Sequence, residues 1–145
     1  MKKILLFVAA LLFSAASVFS QEYVVSVSWE HNECNCLDQG NSYYSVKVVI
    51  YDDANDVTVV AGKEVKVDFG TYTVDVSVPE VNQHCADTTL QFTPSYKVWA
   101  GVSVFCDNTN PPESICTTGG YTFPTNKTCS DFANEDVETP ILEFE

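Results

Sequence analysis

The sequence predicts an all-β domain: an antiparallel β-sandwich of about seven or eight strands, stapled by disulfides. Three observations predict it. Beyond residue 20, apolar and polar residues alternate with period 2, and the apolar positions are mostly β-branched or aromatic, which suits a half-buried strand. No long segment carries an apolar stripe at i, i+3, i+4 and i+7, so long amphipathic helices are not expected. The six cysteines form an even set, as in an exported, disulfide-bonded domain.

The elements follow in order. Residues 1–20 read as a secretory signal peptide, with Lys2 and Lys3 as the basic start, an apolar run from Ile4 to Leu12, and Val18 and Ser20 at the −3 and −1 places of a cleavage site. The apolar run falls short of the roughly 20 residues that a membrane span needs. Gln21 rather than cysteine follows the cleavage point, and no later segment is apolar enough to span, so no membrane insertion is expected after cleavage. Residues 21–145 then form a single domain, loop-rich from about residue 107.

Within it, "YVVSVSW" (23–29) puts Val25, Val27 and Trp29 on one face. "YYSVKVVIY" (43–51) does the same with Tyr44, Val46, Val48 and Ile50. "DDAND" (52–56) is a turn, and "VTVV" beyond it completes a hairpin. "KEVKVDF" (63–69) and "TYTVDVSV" (71–78) alternate as separate strands, and "TLQFT" (89–93) is a shorter one. "YKVWAGVSVFC" (96–106) places Tyr96, Val98, Ala100, Val102 and Val104 inward, so Trp99 and Phe105 point the other way. After Asp107 the chain is rich in Asn, Thr, Pro and Gly. A short strand near Tyr121 to Phe123 and an edge strand through Leu142 and Phe144 are expected there.

The stretch "DFGTYTVDV" (68–76) resembles the D-x-G-x-Y-x-C segment of immunoglobulin-like domains: Asp68, Gly70 and Tyr72 match, and Val74 stands where that family has cysteine. It is also similar to the G-x-Y-x-V-x-V strand of transthyretin-like and carboxypeptidase-regulatory-like domains. Both resemblances imply a β-sandwich, and neither implies a function.

Charge narrows the partners. Losing Lys2 and Lys3 with the leader leaves five basic residues, Lys47, Lys63, Lys66, Lys97 and Lys127, against 20 acidic ones, with no arginine. Nucleic acid and anionic lipid surfaces both need a basic footprint, and neither is expected as a partner. The acidity serves solubility and would attract cations such as calcium, or a basic partner.

The cysteines are Cys34, Cys36, Cys85, Cys106, Cys116 and Cys129, and six allow 15 pairings. In an extended chain, residues i and i+2 lie about 6.5–7 Å apart, at the limit of disulfide geometry, so Cys34 and Cys36 should each bond elsewhere. Cys106 and Cys116 flank a proline-rich loop and are plausible partners, which would send Cys34 and Cys36 to Cys85 and Cys129.

Chemistry-bearing groups are sparse. His31, Cys34, Cys36, His84 and Cys85 are zinc-ligand types, yet C-x-C is tighter than the usual C-x2–4-C, and export favours disulfides over thiolates. Redox catalysis would need C-x-x-C at a helix start. A hydrolase would need one of only two histidines, His31 or His84, beside a carboxylate and a nucleophile in space. Asp52, Asp53 and Asp56 could hold calcium, although Asp and Asn also serve turns on their own account. Tyr43, Tyr44 and Trp99, with Trp29, Tyr51 and Tyr121, could offer flat surfaces to a glycan, and an outward Trp99 would mark an interaction site. Asn126-Lys127-Thr128 fits the N-glycosylation triplet, relevant only in a eukaryotic secretory pathway. The expected function is an exported, non-catalytic binding or interaction module of extracellular or periplasmic type, with a glycan, a protein or calcium as ligand. A small secreted hydrolase and a structural cell-surface component are the alternatives.

Overall fold

The computed structural model describes residues 21–30, 42–106 and 112–145. The leader and its cleavage site, and His31, Cys34 and Cys36, lie outside the described residues. The rest is mostly β, in two sheets.

Sheet A has the order β4-β1-β8, built from β1 (Val24–Trp29), β4 (Thr73–Ser77) and β8 (Glu138–Leu142). β1 pairs antiparallel with β4 and parallel with β8. Sheet B has the order β3-β2-β5-β6, from β2 (Ser42–Asp52), β3 (Val57–Asp68), β5 (Tyr96–Cys106) and β6 (Glu113–Thr117). β7 (Tyr121–Thr122) continues along the same edge of β5.

The inward faces are the predicted ones. Val25, Val27 and Trp29 from β1, Tyr44, Val46, Val48 and Ile50 from β2, and Tyr96, Val98, Ala100, Val102 and Val104 from β5 belong to one buried cluster fed by both sheets. The chain crosses from sheet B to sheet A at Gly70 (φ +100°), inside the "DFGTY" stretch, where a left-handed turn suits glycine. Tyr72 just beyond it packs edge-on against Tyr44, and its carbonyl accepts the amide of Trp29.

Four expectations change. "VTVV" and "KEVKVDF" are one strand, β3, because bulges let it stay paired with β2: Val48 faces Lys63 while Ile50 faces Val60, leaving Ala61 and Gly62 (φ +140°) opposite Val49. "TLQFT" is a turn-and-bend segment rather than a strand, tied to the β2–β3 turn by Asn55, whose side chain both donates to the Phe92 carbonyl and accepts the Phe92 amide. Two short helices also occur, α1 (Pro79–Cys85) and α2 (Cys129–Ala133). Each is under two turns, too brief for a stripe to show. Their signals are local: proline at the start of α1, and a capping box at α2 in which the Thr128 hydroxyl and the Asp131 carboxylate exchange bonds with each other's backbone amides.

The fourth concerns the disulfides. Cys85, at the end of α1, is bonded to Cys129, at the start of α2, with Cα atoms 5.9 Å apart. This overturns the pairing of Cys85 and Cys129 with Cys34 and Cys36. The helices bring the two sulfurs together, and the helices were the elements that the strand pattern did not reveal. Cys106 and Cys116 are each held in a disulfide as well, separate from the Cys85–Cys129 bridge.

From residue 112 onward the chain is more than a loop. β6, β7, α2 and β8 all lie there; β8 is an edge strand of sheet A that includes Leu142 but ends there, and Phe144 instead makes an isolated bridge to Thr118. Phe132 of α2 is fully buried, edge-on to Tyr96.

Candidate binding face

β2 and β5 run antiparallel with Tyr43 opposite Phe105, Ser45 opposite Ser103, Lys47 opposite Gly101, Val49 opposite Trp99 and Tyr51 opposite Lys97. The intervening residues point into the core, so these five pairs form the outer face of sheet B. Asp68, Lys66 and Glu64 of β3 extend it beside Tyr43, Ser45 and Lys47. Thr117 and Thr122 extend it on the other side, opposite Ser103 and Trp99.

Two aromatic features stand on this face. At one end the rings of Tyr43 and Phe105 stack, with centroids 5.6 Å apart and planes 13° from parallel, and the Lys66 ammonium lies 3.9 Å from the Tyr43 centroid. Such cation–π and stacked contacts contribute about 0.5–1.5 kcal/mol each. Toward the other end, Trp99 lies over two glycines. A Cβ placed on Gly101 would come within 2.7 Å of Trp99 Cη2, and one on Gly120 within 2.7 Å of Nε1 and Cζ2. Tyr43, Val49, Tyr51, Trp99 and Phe105 are all half-buried. Between the aromatic ends, Lys47 and Glu64 form an exposed ion pair at 3.6 Å.

The carboxylates of the β2–β3 turn do different work. Asp52 is fully buried. Its Oδ1 accepts the amides of Ala54 (3.1 Å) and Ser95 (3.0 Å), and its Oδ2 accepts from Asn55 Nδ2 (2.7 Å) and pairs with His84 Nε2 (2.8 Å). Burial pushes this carboxyl up, but the Ser95 amide, the His84 ring, Asn55 and the Ala54 amide together hold it below the usual aspartate value. Asp53 binds Lys97 Nζ at 2.6 Å, which lowers its pKa. Asp56 sits in the left-handed region (φ 55°) and accepts the Tyr51 hydroxyl, which raises the tyrosine pKa. The three aspartates thus have separate protein partners, and no group of three or more metal-ligand side chains occurs among the described residues.

Among the described residues, Asp52 and His84 form a carboxylate–imidazole pair. The described contacts of the His84 ring are the Asp52 carboxylate and the edge of Tyr96, with no nucleophile among them. Below it the Tyr96 hydroxyl donates to the Sγ of Cys85 at 3.1 Å, and burial, with the Asp52 charge behind it, pushes that phenol well above its ordinary pKa. The Cys85 sulfur is held in its disulfide and offers no thiolate to zinc.

A second surface, about 540 Å³ in volume, lies over the outer side of sheet A, lined by Ser26, Ser28, Thr73, Asp75 and Glu138 among others. Its groups bond one another: Ser26 Oγ donates to Asp75 at 2.6 Å, and the Ser28 and Thr73 hydroxyls are 3.1 Å apart.

Of the stacking candidates, Tyr43 and Trp99 are on the outer face of sheet B, six residues along β5 separating the Tyr43 partner Phe105 from Trp99. Tyr44 is fully buried among Trp29, Phe69, Tyr72 and Phe144, and Trp29 is buried as well, so neither offers a ring to a ligand. Tyr121 is half-buried, edge-on to Phe123. Sequence reasoning missed Gly101, Gly120 and Lys66. The signal for the first was present in "WAG": on a strand, i and i+2 share a face, and glycine there leaves room for an indole.

No family model, curated protein or solved structure matches this chain. Fold and face together define a mostly β, disulfide-bonded domain of two sheets, and no helix among the described residues is long and apolar enough to cross a membrane.

Proposed function

We propose that the chain is exported, loses its leader after Ser20, and acts as a non-catalytic binding module. In this reading the two sheets are the layers of an immunoglobulin-like or transthyretin-like β-sandwich, and the outer face of sheet B is the binding surface. The observation that carries the reading is the aromatic row of that face. Tyr43, Phe105 and Trp99 stand half-exposed on β2 and β5, the two central strands of sheet B, which pair along their full length. The Asp52 carboxylate, by contrast, is fully committed to local donors, as a structural group is.

The test is to incubate the purified oxidised protein with immobilised polysaccharides, extracellular proteins and chromogenic ester and glycoside substrates. Saturable binding without turnover supports the reading. Product formation that His84→Ala abolishes overturns it in favour of the hydrolase.

A further inference from the structure

We infer that the outer face of sheet B takes a neutral glycan chain, with a pyranose ring packing its C–H face onto the Trp99 indole; this rests on the reading of that face as the binding surface. A strand side chain ordinarily stands away from its sheet. Trp99 instead lies down, its six-membered ring over Gly101 and its N–H edge over Gly120. Gly101 has no left-handed φ, so its backbone does not demand glycine. What the position requires is a missing side chain, and the space it leaves is the seat of the ring.

An aromatic plane laid along a sheet, still half-exposed, complements the flat face of a pyranose. Sugar hydroxyls need donors and acceptors at the rim. Lys47 and Glu64, facing across β2 and β3, and Thr122, opposite Trp99, supply them.

Charge selects an uncharged ligand. The outward residues of β3 alternate Glu64, Lys66 and Asp68, Lys47 offsets Glu64, and Lys97 is matched by Asp53. The face is therefore near balance, three lysines against Glu64, Asp68, Asp53 and the Asp56 that binds Tyr51, within a chain that is acidic overall. A protein partner would call for a dry apolar centre. Here Trp99 and the Tyr43–Phe105 stack stand about 20 Å apart along β5, with Ser45, Ser103 and the Lys47–Glu64 pair between them. Two aromatic contacts separated by polar groups match an extended, polar chain that touches both.

The test is affinity electrophoresis of the oxidised protein in native gels containing hydroxyethylcellulose, mixed-linkage β-glucan, xylan or galactomannan, with polygalacturonate as the acidic comparison. At least one neutral polymer should retard the protein. Trp99→Ala should weaken that retardation roughly tenfold, Gly101→Ala should weaken it by lifting the ring while leaving the indole present, and Phe92→Ala, an exposed aromatic on the 90s segment, should leave it unchanged. Urea midpoints of each variant confirm folding, and Trp99→Phe, which keeps a ring, should retain part of the binding. No retardation by any neutral polymer, retardation by polygalacturonate alone, or retardation indifferent to Trp99→Ala overturns the inference. Trp99-dependent self-association in sedimentation, or Trp99-dependent capture by an immobilised protein, overturns the glycan assignment while leaving the face as the binding surface. Release of reducing ends from a polymer overturns the non-catalytic reading itself.

Discussion

Replacing Asp52 tests its structural role, because its two oxygens hold different partners in place. Oδ1 takes the amides of Ala54 and Ser95, and Oδ2 takes Asn55 and His84. Together they tie the end of β2 to α1 and to the segment before β5. Asp52→Ala removes all four acceptor contacts and leaves donors in a place where the carboxylate itself is fully buried. Hydrogen bonds to a charged group contribute roughly 1.5–3 kcal/mol each and are not additive. Partial rehydration of Asn55 and His84 brings the expected loss to about 3–5 kcal/mol, a large part of a typical stability of roughly 5–15 kcal/mol. Asp52→Asn keeps an oxygen for the two amides but turns an NH₂ toward Asn55 and His84, so it should cost about half as much. Urea denaturation of the oxidised proteins at pH 7 reads both, and the midpoint should fall with little change in slope. The reasoning fails if the two variants are equally destabilised, or if Asp52→Ala costs under about 1 kcal/mol.

Three further outcomes follow from the same structure. The folded pKa of Asp52 is lowered, so its contribution is present above the ordinary aspartate value of 3.8 and drains away as pH falls below it. Acid titration of stability should therefore show a loss starting near pH 4 that is shallower in Asp52→Asn, and an unchanged slope in that variant would refute the assignment. With Cys85 and Cys129 joined, and a Cys34–Cys36 bridge geometrically disfavoured, Cys34 and Cys36 are each expected to bond to Cys106 or Cys116. Non-reducing peptide mapping that joins Cys106 to Cys116 would contradict this. Thr128→Ala removes the N-cap of α2 and should cost about 1 kcal/mol by urea denaturation, whereas Thr128→Ser should cost little.

Much of the fold was legible because alternation is a local property. Tyr44 and Tyr43 are neighbours in sequence, yet one is buried and the other half-exposed, as the even run Tyr44–Val46–Val48–Ile50 implies. The same arithmetic placed Trp99 and Phe105 on the opposite face from Val98 and Val104. What alternation could not carry were features shorter than its period reveals. Pro79–Cys85 is too short to show a helical stripe, and the bulge at Ala61–Gly62 shifts register so that one strand reads as two. The candidate site was half legible: Trp99 and Tyr43 were visible as residue types, and Tyr44, offered beside them, is on the opposite face that alternation gives it, packed among four other aromatic rings.

By itself, the sequence determined a β-rich chain, the inward and outward residues of its main strands, and an acidic surface with few cations, because each depends on the order of neighbouring residues or on composition alone. The tertiary structure decided that Cys85 meets Cys129 across 44 residues, that Asp52 meets His84 across 32, and that Trp99 lies on Gly101 and Gly120. Those contacts depend on which strands lie side by side and how the chain crosses between sheets, and side-chain periodicity contains no term for either.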